Sequence, residues 1–360
     1  MKMKKNVIVG MSGGVDSSVS AILLQQAGFN VSGVFMKIWN EKYANVYTSN
    51  TSCYRPQERE IQDVKNICRD MGIPFYVIDA KNEFEKRVLN YFKKDYLCGR
   101  TPNPCVVCNR FIKFQYIIEQ IEKKGVNFDF FATGHYARVE YDDKRKRYIL
   151  KKGIDSNKDQ SYFLFLLTQK QLSRVIFPLG NYTKQTVKDI AKQHGFDVYQ
   201  KKESQDFMKG SRFFIFEEGI KSGDIIDIHG NILGKHNGII HYTIGQRKGT
   251  GIAKGRPVYV IGIDAEKNTI IVGDEKNLYK NRLIATDINL IGLEKINGSM
   301  NITAKIRYKH NPAKATLSLF GKKEIELIFE HSQRAISPGQ AVVFYKNDEV
   351  VGGGFIKTAL

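Results

Sequence analysis

Through the first half of the chain, short apolar runs alternate with segments whose apolar residues recur every three or four positions. This pattern predicts strands over residues 7–10, 31–36, 74–79 and 129–133, and helices over 17–27, 57–71, 83–94 and 110–124. Val19, Ile22 and Leu23 share one face of the first helix, and Gly28 stops it. Ile61, Val64, Ile67 and Cys68 share a face of the second. Strands alternating with helices imply an α/β fold with a parallel sheet covered on both faces. Such sheets bind ligands beyond the carboxyl ends of their strands, so the loops after Gly10, Met36 and Thr133 are expected to converge on one site.

Beyond about residue 205 the texture changes to glycines and short alternating segments, over 224–229, 238–244, 258–264 and 269–273. A last group, 302–308, 315–319, 325–329 and 341–345, reads as a small antiparallel β-barrel. The expected division is a parallel-sheet catalytic domain over 1–205, a small central domain over 206–280 and the barrel over 281–360. The chain contains no internal repeat and no low-complexity segment.

Charge narrows the choice of partner. The 360 residues hold 56 lysines and arginines against 37 acidic residues, a formal net charge of +19. A surplus of that size creates a field suited to a polyanion, although a merely soluble basic surface would look the same in composition alone. Five cysteines are too few and odd in number for a disulfide framework, so they read as reduced thiols of a cytoplasmic protein. No apolar run approaches the roughly 18 residues of a membrane span. The apolar stretch near Met1 is too short for a signal peptide, and Gly13-Gly14-Val15-Asp16 follows it in place of a cleavage site.

The segment Gly10-Met11-Ser12-Gly13-Gly14-Val15-Asp16-Ser17-Ser18 joins the first strand to the first helix. Adjacent glycines let the backbone approach an anion, and the helix behind them offers free N–H groups at its positive end. The serines add hydroxyl donors, and Asp16 could hold a magnesium ion on bound phosphates. No lysine follows the glycines, so a Walker-type loop is excluded, and so is a dinucleotide fingerprint. The segment resembles the pyrophosphate loop of the N-type ATP pyrophosphatases, which have an adenine nucleotide alpha hydrolase-like fold. That resemblance implies ATP as cofactor, cleaved between its α- and β-phosphates with AMP transferred to a substrate oxygen.

A second segment carries thiols: Gly99-Arg100-Thr101-Pro102-Asn103-Pro104-Cys105-Val106-Val107-Cys108-Asn109-Arg110. The prolines are expected to keep it non-helical, with a helix starting near Arg110, so that the helix N-terminus, Arg100 and Arg110 would favour the Cys108 thiolate. The two-residue spacing suits a resolving pair or two ligands of one metal. Further stretches follow in order: Ala132-Thr133-Gly134-His135-Tyr136-Ala137-Arg138, Lys158-Asp159-Gln160-Ser161-Tyr162, Phe177-Pro178-Leu179-Gly180, and His241-Tyr242-Thr243-Ile244-Gly245-Gln246-Arg247-Lys248-Gly249.

Together these motifs resemble the bacterial tRNA-specific 2-thiouridylases over essentially the whole chain. The resemblance implies ATP-dependent replacement of the 2-oxygen of the wobble uridine by sulfur in tRNAs for lysine, glutamate and glutamine. It assigns ATP contacts to Gly10, Met11, Ser12, Gly13, Gly14, Val15, Asp16, Ser17, Met36 and Gly134. The target-base loop falls on Asn103, Pro104 and Cys105, and the nucleophile on Cys108. Contacts to tRNA fall on His135, Lys158, Asp159, Gln160, Arg307, Tyr308 and Gln340. The implied partners are tRNA and a sulfur donor, either a persulfide carrier protein or inorganic sulfide. Neither DNA nor a membrane is expected.

One departure from the family stands out. Many members carry aspartate at the position of Cys105 and a second catalytic cysteine at the position of Met208, whereas no cysteine follows Cys108 in this chain. A thioether cannot bear a persulfide. Either Cys105 and Cys108 act as the persulfide and resolving pair, or they ligate an iron–sulfur cluster of the 4Fe–4S type with Cys53 as third thiolate. A structural zinc site, and a divergent paralogue that binds tRNA and ATP without thiolating uridine, remain further readings.

Overall fold

The computed structural model describes residues 4–44, 54–195, 215–216, 220–252 and 255–360. The chain divides into two compact units. The first comprises Met1–Val88, Cys105–Phe214 and Asp348–Val350, and the second Leu89–Pro104, Ile215–Asn347 and Val351–Leu360. No helix among the described residues is long and apolar enough to cross a membrane.

The first unit is built on a parallel sheet. Its strands are β1 (Asn6–Gly10), β2 (Asn30–Lys37), β3 (Phe75–Asp79), β4 (Phe130–Thr133) and, after the hairpin β5 (Ala137–Asp142) and β6 (Arg147–Lys152), β7 (Val175–Ile176). Their spatial order is β3-β2-β1-β4-β7, with every pairing parallel. Chain order reverses between β1 and β4, which makes the crevice above Gly10 and Thr133 the topological switch point. Helix α1 (Val15–Gln26) lies on one face with Val19 and Leu24 buried, and α2 (Glu58–Asp70) presents Val64, Ile67 and Cys68 to the same core. That core includes Val7, Val9 and Phe35 from the strands. Gly33 in β2 is required by the packing, because a Cβ there would lie 2.7 Å from the Cys68 sulfur. Cys68 is therefore core, as its place in the apolar face implies.

The hairpin β5–β6 is absent from the sequence reading. Its turn is polar and charged, and Asp142 closes it by accepting the N–H groups of Lys144 and Arg145, both at 2.9 Å.

In the second unit, β8 (Gly223–Ile226), β9 (Ile232–His236), β10 (Tyr259–Asp264) and β11 (Thr269–Gly273) form a sheet in the order β10-β11-β8-β9. The remaining strands are β12 (Tyr279–Leu290), β13 (Met300–Lys305), β14 (Ala313–Phe320), β15 (Glu324–Arg334), β16 (Ala341–Lys346) and β17 (Glu349–Ala359). In the order β12-β15-β14-β13-β16-β17, with β12 pairing back to β17, they close a barrel around Leu283, Leu317, Leu327, Phe329 and Phe344. Gly352 and Gly354 permit the closure: a Cβ at either would lie 2.5 or 2.6 Å from a carbonyl oxygen of β12.

Three strand expectations are corrected. Residues 238–244 are not a strand, because Gly238 takes φ 121° and turns Ile239–His241 into a short 3-10 helix that buries both isoleucines. The segment beginning at 224 ends at Ile226, where the Asp227 carboxylate accepts the N–H groups of His229 and Asn231 and makes a turn. The strand over 302–308 stops at Lys305, so Arg307 and Tyr308 lie in the following turn, closed by the His310 N–H on the Arg307 carbonyl at 3.0 Å.

Gly180 sits where a Cβ would come within 2.1 Å of the Ala137 carbonyl oxygen in β5. Gly180→Ala is expected to destabilise the protein by about 1–3 kcal/mol, the cost of overpacking. A urea midpoint unchanged from the unmutated chain would contradict this packing.

Candidate functional site

The glycine-rich loop occupies the switch point. Gly10 pairs with Val34 on one side and Thr133 on the other, so the chain leaves β1 between the exits of β2 and β4. Met11 and Val15 are buried anchors, while Ser12 is exposed and Gly13 adopts φ 74°. Gly14 is the N-cap of α1, in extended conformation and without a side chain to cap the first turn. The N–H groups there stay available to an external acceptor. The serines stiffen the loop. Ser17 Oγ donates to the Gly14 carbonyl at 3.0 Å and accepts from the Ser12 N–H at 3.2 Å, and Ser18 Oγ donates to the same carbonyl at 3.2 Å. Met36, near the end of β2, is partly buried, and its carbonyl receives the Gln57 side-chain amide at 3.4 Å.

Asp16 is the charged centre of this loop. Its Oδ1 accepts from the Tyr136 hydroxyl at 2.8 Å and from Lys184 Nζ at 2.8 Å, and its Oδ2 accepts from the same ammonium at 2.9 Å. Gly134 brings β4 hard against this residue, since a Cβ would lie 2.8 Å from the Asp16 carbonyl carbon. The carboxylate fits a cation, because it already holds one. A magnesium ion at Asp16 would take the place of Lys184.

Lys184 was not recognised in the sequence. It opens the helix Lys184–Gln193, with Thr183 as N-cap accepting from the Thr186 N–H. A cation at the positive end of a helix is electrostatically misplaced, and that was the available signal. The Asp155 carboxylate compensates by accepting the Lys184 backbone N–H at 2.9 Å.

The cysteine segment is corrected in two respects. The helix begins at Pro104 rather than near Arg110, and it adopts wider π-type winding over Cys108–Tyr116. Proline is well suited to a first helical position, since its missing N–H has no partner there in any case. Both cysteines therefore lie within helical backbone. Cys105 is partly exposed, but Cys108 is buried, and burial pushes its thiol up to about 11, with the Lys113 charge acting in the opposite direction. The expected thiolate is not favoured in this state. The arginines are engaged otherwise: Arg110 lies over the Phe111 ring at 5.2 Å, and Arg100 pairs with Asp95 at 3.9 Å. Among the described residues no group of three or more His, Cys, Asp or Glu side chains could hold a metal. Cys98 is exposed and Cys68 is core, while Cys53 and Met208 lie outside the described residues. The described thiols do not fit an iron–sulfur cluster, and no step is derived through one.

The residues assigned to tRNA serve varied local roles. Asn103 is buried and donates its N–H to the Tyr91 hydroxyl at 3.1 Å. Gln340 Nε2 donates to the carbonyls of Thr101 and Pro102 at 3.1 and 3.3 Å, holding the loop before the cysteine helix. The Asp159 carboxylate is buried and accepts from Gly153 N, Ser161 N and Ser161 Oγ. Gln160 brackets Tyr136 by accepting its N–H and donating to its carbonyl, and Lys158 is partly exposed. The His135 ring lies against Phe114 and Phe177, and burial holds it neutral well below its ordinary range. Arg307 donates to the Arg334 carbonyl at 3.1 Å, and Tyr308 lies beneath the Lys305 ammonium.

A parallel sheet whose switch point carries a glycine- and serine-rich loop at a helix N-terminus defines a nucleotide-binding α/β protein. Its family is equally clear. Residues 5–208 match the tRNA methyl transferase HUP domain, 214–274 the tRNA methyl transferase PRC-barrel domain, and 280–356 the aminomethyltransferase beta-barrel domain. The tRNA-specific 2-thiouridylase MnmA of Acetivibrio thermocellus is 46% identical, over 98% of this chain and 99% of the relative. The tRNA-specific 2-thiouridylase MnmA 1 of Caldanaerobacter subterraneus is also 46% identical, and the MnmA of Clostridium perfringens 44%, each over 99% of both chains. The chain belongs to the tRNA-specific 2-thiouridylase family.

Burial of Cys108 predicts its chemistry. Alkylation by iodoacetamide, mapped by mass spectrometry, should reach the exposed Cys98 and the partly exposed Cys105 before Cys108, and the Cys108 rate should rise about tenfold per pH unit between 7 and 9 as thiolate accumulates. A Cys108 rate that levels off below pH 8 would sink this assignment.

Proposed function

We propose that the chain is an ATP-dependent tRNA uridine 2-sulfurtransferase acting on the wobble uridine of lysine, glutamate and glutamine tRNAs in the reducing cytoplasm. The observation that carries this reading is the open helix N-terminus at the switch point, in a chain that also bears two thiols three residues apart. Full-length likeness to 2-thiouridylases supports it. In this reading residues 1–205 perform the chemistry, while 206–280 and the barrel over 281–360 contact tRNA, helped by the net charge of +19.

ATP is the nucleotide, held by Gly10–Ser17 residues with Met36 and Gly134 at the margins of the site. Its magnesium would be taken by Asp16 in exchange for Lys184. The uridine 2-oxygen attacks the α-phosphate, the bond to the bridging oxygen breaks, and pyrophosphate leaves with the electron pair. The uracil N3 proton is released to solvent. This adenylation is needed because oxide and hydroxide do not leave at neutral pH, whereas AMP does. Positioning and charge neutralisation supply most of the acceleration.

Sulfur then comes through the helix that begins at Pro104. Cys105, the more exposed thiol, receives the persulfide from a carrier protein or from sulfide and an oxidant. The terminal sulfur attacks C2 and expels AMP. The Cys108 thiolate attacks the Cys105 sulfur, which forms a disulfide and releases 2-thiouridine. Two electrons from an external thiol restore the pair. In this reading Asn103 and Pro104 meet the target base, and His135, Lys158, Asp159, Gln160, Arg307, Tyr308 and Gln340 each contact tRNA or brace a residue that does.

The test is an anaerobic reaction of the full chain with ATP, magnesium, unmodified glutamate tRNA, a low-molecular-weight persulfide as sulfur donor and a dithiol as reductant, scored by mass spectrometry of the wobble nucleoside. The unmutated protein should form 2-thiouridine, and Cys105→Ser and Cys108→Ser should each lower the rate at least about a hundredfold, as expected for loss of a group in the reacting chain. Binding of tRNA without thiolation would favour the non-thiolating paralogue. A brown preparation that loses activity with its iron would replace the disulfide route by the cluster with Cys53.

A further inference from the structure

The phosphate loop has no lysine of its own. Residues 10–18 carry one charge, the carboxylate of Asp16, at the place where a nucleotide's negative phosphates would arrive. We propose that Lys184 supplies the missing cation: it is stored on Asp16 while the site is empty and turns to the departing pyrophosphate when the nucleotide binds. The inference rests on the nucleotide reading above and adds a catalytic residue to it.

The geometry favours an exchange over a permanent strut. Asp16 cannot move away, because Gly134 presses on its backbone with no room for a Cβ. Lys184 can move, since its ammonium stands on a flexible four-carbon arm. The arm is buried, with 10% of the side chain exposed, so the ammonium must find a negative partner in every state. In this structure that partner is Asp16, at 2.8 and 2.9 Å. When Lys184 leaves, the Tyr136 hydroxyl at 2.8 Å remains on the carboxylate, and the nucleotide's own metal can occupy the vacated side. Every buried charge stays paired throughout.

Its position in the chain is informative too. Lys184 is the first residue of a ten-residue helix, where the helix dipole disfavours a cation. Thr183 and Asp155 accept two N–H groups of that turn, and the Lys184 ammonium, itself a donor, plays no part in capping it. Its side chain instead spans to the N-terminal turn of α1, where Asp16 is the second residue. In the reaction, the bond between the α-phosphorus and the bridging oxygen breaks as the substrate oxygen bonds to phosphorus. Pyrophosphate takes the electron pair, and the ammonium balances the charge that develops on it. No electron is exchanged with any other group.

The test is equilibrium binding of inorganic pyrophosphate, without metal, to the full chain by titration calorimetry, with AMP as the control ligand. Lys184→Met should weaken pyrophosphate binding by about tenfold or more, as loss of a charge-assisted contact requires, and leave AMP within about twofold. Pyrophosphate release from ATP and tRNA should slow by about 100- to 1,000-fold with little change in the KM for ATP. Lys184→Arg should restore part of the pyrophosphate binding. Asp16→Asn separates storage from mere structure: freeing the ammonium should tighten metal-free pyrophosphate binding several-fold, whereas a structural ion pair predicts weakening in both variants. Unchanged binding in Lys184→Met, or weaker binding in Asp16→Asn, overturns the proposal. If Lys184→Met does not fold, Asp16→Asn decides alone. An unmutated chain that binds neither pyrophosphate nor AMP would instead remove the nucleotide reading itself.

Discussion

The first unit depends on one close approach. Gly134 follows β4 and has no side chain because the backbone of Asp16 fills the space where one would stand. That contact locks the exit of β4 against the first turn of α1, and thereby fixes the loop between Gly10 and Val15 from its far side. The hydroxyl of Tyr136, two residues on from Gly134, then reaches Asp16, and Lys184 completes the arrangement. Gln160 in turn holds both backbone groups of Tyr136. Residues far apart in sequence therefore define one rigid cradle, and the register Gly10 with Thr133 is what brings them together.

Much of this could be read from the chain, for a physical reason. The strands and helices of the parallel sheet are amphipathic or fully apolar, so periodicity reports them directly, and a loop of glycine and serine between a strand and a helix has few uses other than anion binding. The resemblance to 2-thiouridylases then assigned residues that spacing could not. What was missed has an equally physical reason. Lys184 forms an ion pair spanning 168 residues, and no local pattern announces such a partner. The hairpin after β4 is made of strands with a charged turn, and β17 contains three successive glycines that depress strand propensity while allowing the barrel to close.

The cysteine segment shows how one residue type can carry two opposite meanings. Pro102 and Pro104 were expected to hold the chain extended, which is their effect on the residues before them. Pro104 instead begins the helix, because a proline at the first position gives up nothing. The shift of the helix start by about two turns moves Cys108 from a helix end into buried helical backbone, and its acidity reverses in direction.

A buried, protonated Cys108 is compatible with the proposed chemistry, and it imposes an order on it. A resolving thiol that ionised early would attack the persulfide on Cys105 before the sulfur had been transferred, and the cycle would end in a disulfide and free sulfide. Burial keeps that thiol weakly nucleophilic, while its partner three residues earlier is accessible to a donor. The loop leading to Pro104 reinforces the same control. Its prolines remove N–H donors, its carbonyls at Thr101 and Pro102 are held by the Gln340 amide, and the Thr101 N–H is held by the Pro338 carbonyl. The backbone is therefore fixed before the first thiol is reached. In the proposed cycle the environment of each sulfur, more than the intrinsic reactivity of either, would decide which one acts first.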